Sequence, residues 1–382
     1  MGEAYIVAAV RTPVGRRNGQ LATAHPADLA AHVLRACVDR AGVDPGAIDD
    51  VILGCVNQVG PQAFNVARTA VLSAGWPESV PATTIDRQCG SSQQAVHFAA
   101  SCVRSGDMHL VVAGGVEVMS QVPLGSSATL GVQAGMSHPR GGQGWANRYG
   151  DQQISQFRGA ELIAREWGID RAAMEEFALA SHARAVAATR RGAFADEIVP
   201  WGTATTDEGP RPDPSPEKMR SLEPLVPGGS ITAATSSQIS DGAAALLIAS
   251  AEAVRRHNLT PLARIHATAV VGSDPVKMLD GPIPATKRVL ERGGLTINDI
   301  DTFEVNEAFA PVVLAWLKAT GASHDRTNPD GGAIALGHPL GATGARLMVT
   351  MVHRLRRDGL TYGLQTMCEG GGMANATVVQ RV

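Results

Sequence analysis

The stretch TTIDRQCGSSQQAVHFAASCVR, residues 83–104, changes its period in the middle. Thr83–Asp86 has the β-branched character of a strand, whereas Gln93–Arg104 carries apolar residues at helical spacing and is closed by Gly106. The chain passes from strand to helix across Arg87–Ser92, and Cys89 sits in that handover. The same alternation runs on both sides. Ala4–Val10 reads as a strand, and Pro26–Ala41 as a helix with Leu29, Val33, Leu34 and Val38 on one stripe. Val51–Val56 is a second strand, Asn65–Ala74 a helix ending at Gly75, and Leu110–Ala113 a strand ended by Gly114-Gly115. This order predicts an α/β protein whose sheets are covered by helices on both faces.

From about Pro123 to Gly229 the pattern breaks. The segment is rich in Gly, Pro and polar residues, including Pro210-Arg211-Pro212-Asp213-Pro214, with helices expected near Ser155–Trp167 and Arg171–Arg191. It reads as an inserted loop domain. Regularity returns at Asp241–Ser250, where Ala243–Ala249 completes the first half as a strand. From Leu262 the alternation restarts: strand Ala263–Val271, helix Pro284–Gly293, strand Thr302–Val305, helices Ala308–Ala319 and Ala342–Arg357, then strands near Leu364–Met367 and Ala376–Arg381. The expected division is 1–122 plus 230–258 as an N-terminal half, 123–229 as the loop domain, and 259–382 as a C-terminal half. The halves share an order of elements without a residue-level repeat.

Composition narrows the function classes. A chain of 382 residues is long enough for two core-bearing units. With 44% hydrophobic and 18% charged residues and 42 glycines, it suits a compact enzyme with many tight turns. A net charge of -3 without a basic run argues against nucleic acid, so an anionic ligand must be met by local arginines. The five cysteines, at 37, 55, 89, 102 and 368, form neither a CxxC nor an even framework, which argues against metal and structural disulfides and for a reducing compartment. Met1–Val10 lacks the layout of a signal peptide, the apolar runs are too short for a membrane span, and Gln380-Arg381-Val382 is not a peroxisomal address. Cytoplasm is the expected location.

Three reactive side chains sit in glycine-rich turns. Cys89, in Asp86-Arg87-Gln88-Cys89-Gly90-Ser91-Ser92, lies where unpaired amides at a helix start favour a thiolate, with Ser91 or Ser92 available as a cap. A lone cysteine is equally readable as a small buried hydrophobe, and Cys37, Cys55 and Cys102, inside apolar patterns, are read that way. His338 lies in Gly337-His338-Pro339-Leu340-Gly341, either a phosphate cradle or a tight turn presenting a base. The missing P-loop lysine and GxGxxG weaken the first reading. Cys368, in Cys368-Glu369-Gly370-Gly371-Gly372, has clustered amides that could form an oxyanion hole, although a plain glycine hairpin looks the same. Asn306, in Val305-Asn306-Glu307-Ala308-Phe309-Ala310, could be merely a helix cap.

Taken together, these motifs resemble the thiolase family over nearly the whole chain, and the spacing of Asn306, His338 and Cys368 agrees with its pattern. The resemblance implies two similar mixed-sheet halves in αβαβα layers with a loop domain over the active site. It makes Cys89 the acylated nucleophile, His338 the base that deprotonates it, and Cys368 the acid/base of the carbon–carbon step. The amides of Gly370 and Cys89 would form one oxyanion hole, and Asn306, through a water, a second with His338. Glu307 supports the site through hydrogen bonds, whereas Glu369 occupies a position that varies in the family and need not be catalytic. Ser92 stands where many relatives have glycine.

By the same likeness, Ser237 contacts the pantetheine arm of coenzyme A, and Arg211, Lys218 and Arg220 of the loop domain meet the nucleotide phosphates. The expected reaction is cleavage of a 3-ketoacyl-CoA by CoA, a substrate rather than a permanently bound cofactor, in a homodimer or homotetramer with no membrane partner. Around Ser155-Gln156-Phe157 the chain lacks the His-Met pair of short-chain thiolases. That speaks against acetoacetyl-CoA as the preferred substrate, and Asp86–Gln94, the Tyr149–Gly159 stretch and Met367–Gly372 look like actinobacterial thiolases of steroid-ring catabolism. The alternatives are a biosynthetic acetoacetyl-CoA thiolase with identical catalytic residues, and a non-catalytic thiolase-like lipid carrier; a ketoacyl synthase would pair its cysteine with two histidines.

Overall fold

A computed structural model of the chain describes residues 2–382, so the first residue of the expected Met1–Val10 run lies outside them. The first half contains β1 (Ala4–Arg11), β2 (Gly15–Arg16), α1 (Pro26–Ala41), β3 (Asp50–Gly54), α2 (Val66–Ser73), β4 (Ala82–Ile85), α3 (Ser91–Ser105) and β5 (Leu110–Val118). Five helices follow: α4 (Ser126–Gln133), α5 (Gln143–Tyr149), α6 (Gln156–Glu166), α7 (Arg171–Arg190) and α8 (Pro216–Arg220). β6 (Ser240–Ser250) then returns to the first sheet, followed by α9 (Ala251–Arg256). The second half is β7 (Ala263–Gly272), α10 (Pro282–Gly293), β8 (Thr302–Val305), α11 (Ala310–Thr320), α12 (Ala333–Leu336), α13 (Leu340–Arg357), β9 (Tyr362–Glu369) and β10 (Met373–Arg381).

Strand pairing reveals a duplication that the residues do not. The first half runs β4-β3-β5-β6-β1, with β4, β3 and β5 parallel and the rest antiparallel. The second runs β8-β9-β10-β7, and Thr327 bridges the outer side of β8 in parallel, where β4 stands in the first half. Order in space, order in the chain and strand sense all match. The halves join where β1 meets β7, through Tyr5↔Arg264 and Ile6↔Ala263.

The three largest apolar cores of the described residues lie between the helix and sheet layers. One outer core sets Leu29, Val33 and Leu34 of α1 against Val112 and Leu247. The other sets Val289 of α10 and Trp316 of α11 against Phe303, Leu364 and Val378. The inner core packs Val96 and Ala99 of α3 with Met348 and Val352 of α13, between Leu246 and Ile248 of one half and Ile265 and Val379 of the other. A helix sandwiched in this way must be apolar nearly all round, and α13 is buried along most of its length. Among the described residues no helix is long and apolar enough to cross a membrane.

The structure departs from the sequence reading at several boundaries. The strand expected to stop at Gly114-Gly115 runs on to Val118. Both glycines are there for close approach and not as a break: a Cβ at Gly114 would overlap the Ala244 carbonyl oxygen, and one at Gly115 the Gly341 carbonyl oxygen. The strand expected at Val51–Val56 ends at Gly54, and α4, α5 and α8 were not foreseen within the loop segment. Replacing Gly115 by Ala should destabilise the chain by roughly 1–3 kcal/mol, because two backbones must part. An unchanged urea midpoint would overturn this account of the strand.

Candidate active site

The turn that carries Cys89 is bent by its neighbours. Gln88 adopts a left-handed conformation, φ 49°, which costs a non-glycine residue on the order of 1 kcal/mol. Asp86 holds it there: its carboxylate accepts from the Gln88 amide at 2.6 Å and from Gln88 Nε2. Ser91 Oγ closes the turn, accepting from Arg87 N at 2.9 Å and donating to Gln88 O at 2.6 Å. Neither serine caps α3, contrary to the sequence expectation; the N-cap is Gly90, without a side-chain bond. Ser92 Oγ instead accepts from Ala345 N of α13 at 2.9 Å, tying the two central helices together.

The Cys89 thiol is not a resting thiolate, which corrects the expectation drawn from the helix start. Amides of Gly370 and of Cys89 itself favour the anion, but burial and the nearby Glu369 outweigh them and push the thiol up to about 12. Cys368, buried at the end of β9, is raised well above the ordinary thiol range, by burial first and then by Cys89. The structure brings Cys89, partly open to solvent, together with the buried Cys368 and the Gly370 amide.

His338 follows Gly337, whose φ of 99° and close approach to Ser240 Oγ leave no room for a Cβ. The His338 amide donates to Gln238 O and Ser240 Oγ, both at 3.2 Å. Thr343 Oγ1 spends its own proton on Pro339 O at 2.8 Å, so it accepts from His338 Nδ1 at 2.7 Å. That assigns the proton to Nδ1 and leaves the Nε2 lone pair facing Asn306 Nδ2 at 3.4 Å. Burial, helped by Arg346, lowers the imidazole to about 3, so the ring is neutral.

Asn306 is no helix cap; α11 begins at Ala310 behind Phe309, and the Asn306 side chain turns to His338. Its amide donates to Thr366 O of β9 at 3.1 Å, two residues before Cys368, and its Oδ1 is buried without a protein partner. Glu307 braces the turn ahead of His338, accepting from Ser181 Oγ (2.7 Å), Asn328 Nδ2 (2.9 Å) and Ile334 N (3.1 Å). Leu340, just beyond His338, packs with Val56 and Met119 against Cys89.

The candidates expected to meet coenzyme A separate into two groups. The Ser237 amide donates to Ala308 O at 3.0 Å, which ties this segment to the Asn306 loop. Gln238 Nε2 donates to Ile334 O at 2.9 Å and to Ala335 O at 3.1 Å. Arg211, with its amide on His182 Nδ1 at 3.2 Å, lines a cleft with Met219, Ala234, Gln238 and Ile334. Lys218 and Arg220 are exposed on α8 to either side of Met219 and are not among the residues lining that cleft.

Two positioning residues went unread in the sequence. One is Thr343, whose signal is a hydroxyl in the first turn after the histidine. The other is Glu117, a carboxylate in an apolar strand, which accepts from Val56 N (2.9 Å), Asn57 N (3.1 Å), Gln62 Nε2 (2.8 Å) and Gly341 N (2.9 Å).

The lowered pKa of His338 sets a sign for acid stability. An unfolded chain takes up this proton near 6.5 and the folded one near 3, so the group's contribution is intact above 6.5 and drains away as pH falls toward 3. His338→Gln should therefore lose less stability than the parent chain between pH 7 and 4.5, by roughly 2 kcal/mol in urea unfolding. Equal losses would show that the ring is protonated in the fold.

Comparison with known proteins places this geometry. Residues 4–252 match the thiolase N-terminal domain and residues 259–381 the thiolase C-terminal domain. The chain is 56% identical over 387 residues to the steroid 3-ketoacyl-CoA thiolase FadA6 of Mycobacterium tuberculosis, covering 100% of this chain and 95% of that protein. It is 42% identical to a 3-ketoacyl-CoA thiolase of an Enterobacter species over 398 residues, 100% of both chains. The crystal structure of the Bacillus anthracis acetyl-CoA acetyltransferase superposes with a TM-score of 0.91 at 38% identity, covering 100% of this chain and 99% of that one. With both halves matched along nearly their whole length, the chain belongs to the thiolase family of acyltransferases.

Proposed function

We propose that the chain is a degradative 3-ketoacyl-CoA thiolase that acts through an acyl-Cys89 intermediate. The observation that carries this reading is the pairing of His338, whose Nδ1 proton is held by Thr343 Oγ1 so that Nε2 is left as the acceptor, with a Cys89 thiol that lies against the Gly370 amide. These are the base and the nucleophile that cleavage requires. Cys89 Sγ attacks the keto carbon as His338 Nε2 takes its proton, and the Gly370 and Cys89 amides receive the oxyanion. Proton transfer from the thiol to the imidazole accompanies C–S bond formation.

The bond between the alpha and beta carbons then breaks, its electron pair passes to the departing acetyl-CoA or propionyl-CoA enolate, and Cys368 protonates that carbon. The enolate oxygen is held at Asn306 and His338. An oxyanion hole of this kind contributes about 3 kcal/mol per donor. In the second half, CoA gives its thiol proton to Cys368 and takes the acyl group, while His338 returns its proton to Cys89. Ser237 would meet the pantetheine arm, and Arg211, Lys218 and Arg220 of the 123–229 loop domain the phosphates. Of these three, Arg211 has the stronger support, since it lines the cleft next to Gln238.

The substrate class rests on two supports. FadA6, the relative at 56% identity, bears the name of a steroid 3-ketoacyl-CoA thiolase. Where short-chain thiolases carry a His-Met pair, Phe157 stands edge-on to Phe309 at 5.8 Å. We read the acyl group as bulky or medium-length, from steroid-ring or fatty-acid degradation; the names of the relatives do not favour the biosynthetic and carrier alternatives.

Mass spectrometry after mixing with acyl-CoA should find the acyl group on the Cys89 peptide. Cys368→Ser should still be acylated yet fail to exchange the alpha protons of acetyl-CoA. Label on Cys368, with Cys89→Ser still turning over, would reverse the roles. In a substrate panel, kcat/KM should favour bulky or medium-length 3-ketoacyl-CoAs over acetoacetyl-CoA by at least about tenfold, each further buried methylene contributing about 0.8 kcal/mol. Acetoacetyl-CoA as the best substrate would support the biosynthetic alternative, and no thiolysis at all the carrier.

A further inference from the structure

Glu369 lies next to Cys368 on β9 but faces the other way. Cys368 belongs to the outer core with Met278, Leu279 and Ala374, while the Glu369 side chain reaches the start of α3. It is completely buried, and neither carboxyl oxygen has a hydrogen-bond partner. A Cβ added to Gly90 would overlap Glu369 Oε1 and stand 2.9 Å from Asn375 Nδ2, so carboxyl, amide and the backbone beside Cys89 meet at one point.

Asn375 lies on β10 two residues beyond Met373, the residue paired with Glu369, and so shares its face of the sheet. Asn375 Nδ2 donates to Gly90 O at 3.1 Å, and Asn375 Oδ1 is buried without a partner. A fully buried carboxyl group with neither a hydrogen-bond partner nor a paired cation is favoured in its neutral form.

We propose that Glu369 is held as a neutral acid beneath the nucleophile's turn, and that its deprotonation at alkaline pH suppresses the reactivity of Cys89. This makes it a positioning residue and rests on the reading of Cys89 as the nucleophile. Burial raises the carboxyl to about 8, with Arg87 pulling it down and Asp86 pushing it up. The groups facing it are Asp86, Arg87 and Cys89 from the turn, Asn375 from β10, Cys368 on its own strand, and the uncharged Gly90–Gln93 start of α3. At neutral pH no negative charge from this residue opposes the thiolate and the oxyanion at Gly370. Above the carboxyl's titration a fixed anion stands beside both.

The test is alkylation of Cys89 by iodoacetamide, followed on its peptide from pH 6 to 10. Glu369→Gln keeps the shape but cannot ionise. The expected result is equal rates at pH 6 and about tenfold faster labelling of the variant at pH 9. A purely structural role would change the rates at every pH alike. Glu369→Met, similar in size and also uncharged, should show the same acceleration and serves if the first variant does not accumulate. In carbon-13 spectra of the wild-type chain, a glutamate carboxyl titrating near pH 8 should vanish in the variant. Equal labelling at pH 9 in wild type and both variants overturns the proposal. Labelling needs no acyl-CoA, so the expected profile without thiolysis defeats the functional reading alone, and thiolysis with unchanged profiles defeats this inference alone.

Discussion

The packing of α3 against α13 between the two sheets is the constraint on which the site depends. Each half reaches its central helix by the same route, so Cys89 comes just before α3 and His338 just before α13. Residues far apart in sequence thereby occupy equivalent ends of two neighbouring helices. Ser92 locks the pair by its bond to Ala345 N, and Glu117 anchors Gly341 at the start of α13 to the loop after β3. The duplication gives the two halves the same scaffold and leaves each turn free to carry different chemistry.

Burial sets the charge state of that chemistry. Both thiols and the imidazole are pushed toward their neutral forms, each chiefly by loss of water. Formal charge lies behind them: buried Arg11 pairs with Glu197 at 2.6 Å and Asp207 at 2.7 Å, and Arg346 lowers His338 from α13. In the reaction proposed for this site, the nucleophile and its base therefore start out neutral. Charge develops only where amides already point.

The fold class and the turns that hold the candidate residues were legible in the sequence because each leaves a local mark: period changes at residue 89, glycine-flanked turns at 338 and 368, and apolar strands too regular to miss. It misread what depends on contacts across the fold. Gly114 and Gly115 look like a strand end until Ala244 and Gly341 are seen pressed against them. The helix start beside Cys89 suggested an anion, yet burial, and after it Glu369 of the other half, push the thiol the other way. Thr343 and Asn375 are ordinary in sequence, and their parts follow only from which lone pair each one faces.

The seam between the halves spans just two residue pairs, Tyr5↔Arg264 and Ile6↔Ala263. Backbone bonding alone is therefore a weak joint, and cohesion falls to the shared inner core, where Val96 and Ile248 of one half meet Met348 and Val379 of the other. Severed from its partner, either half would expose one whole wall of that core. A single ancestral half of this shape would thus have needed a second copy to cover it, which makes the fused chain the covalent form of what would otherwise be a dimer.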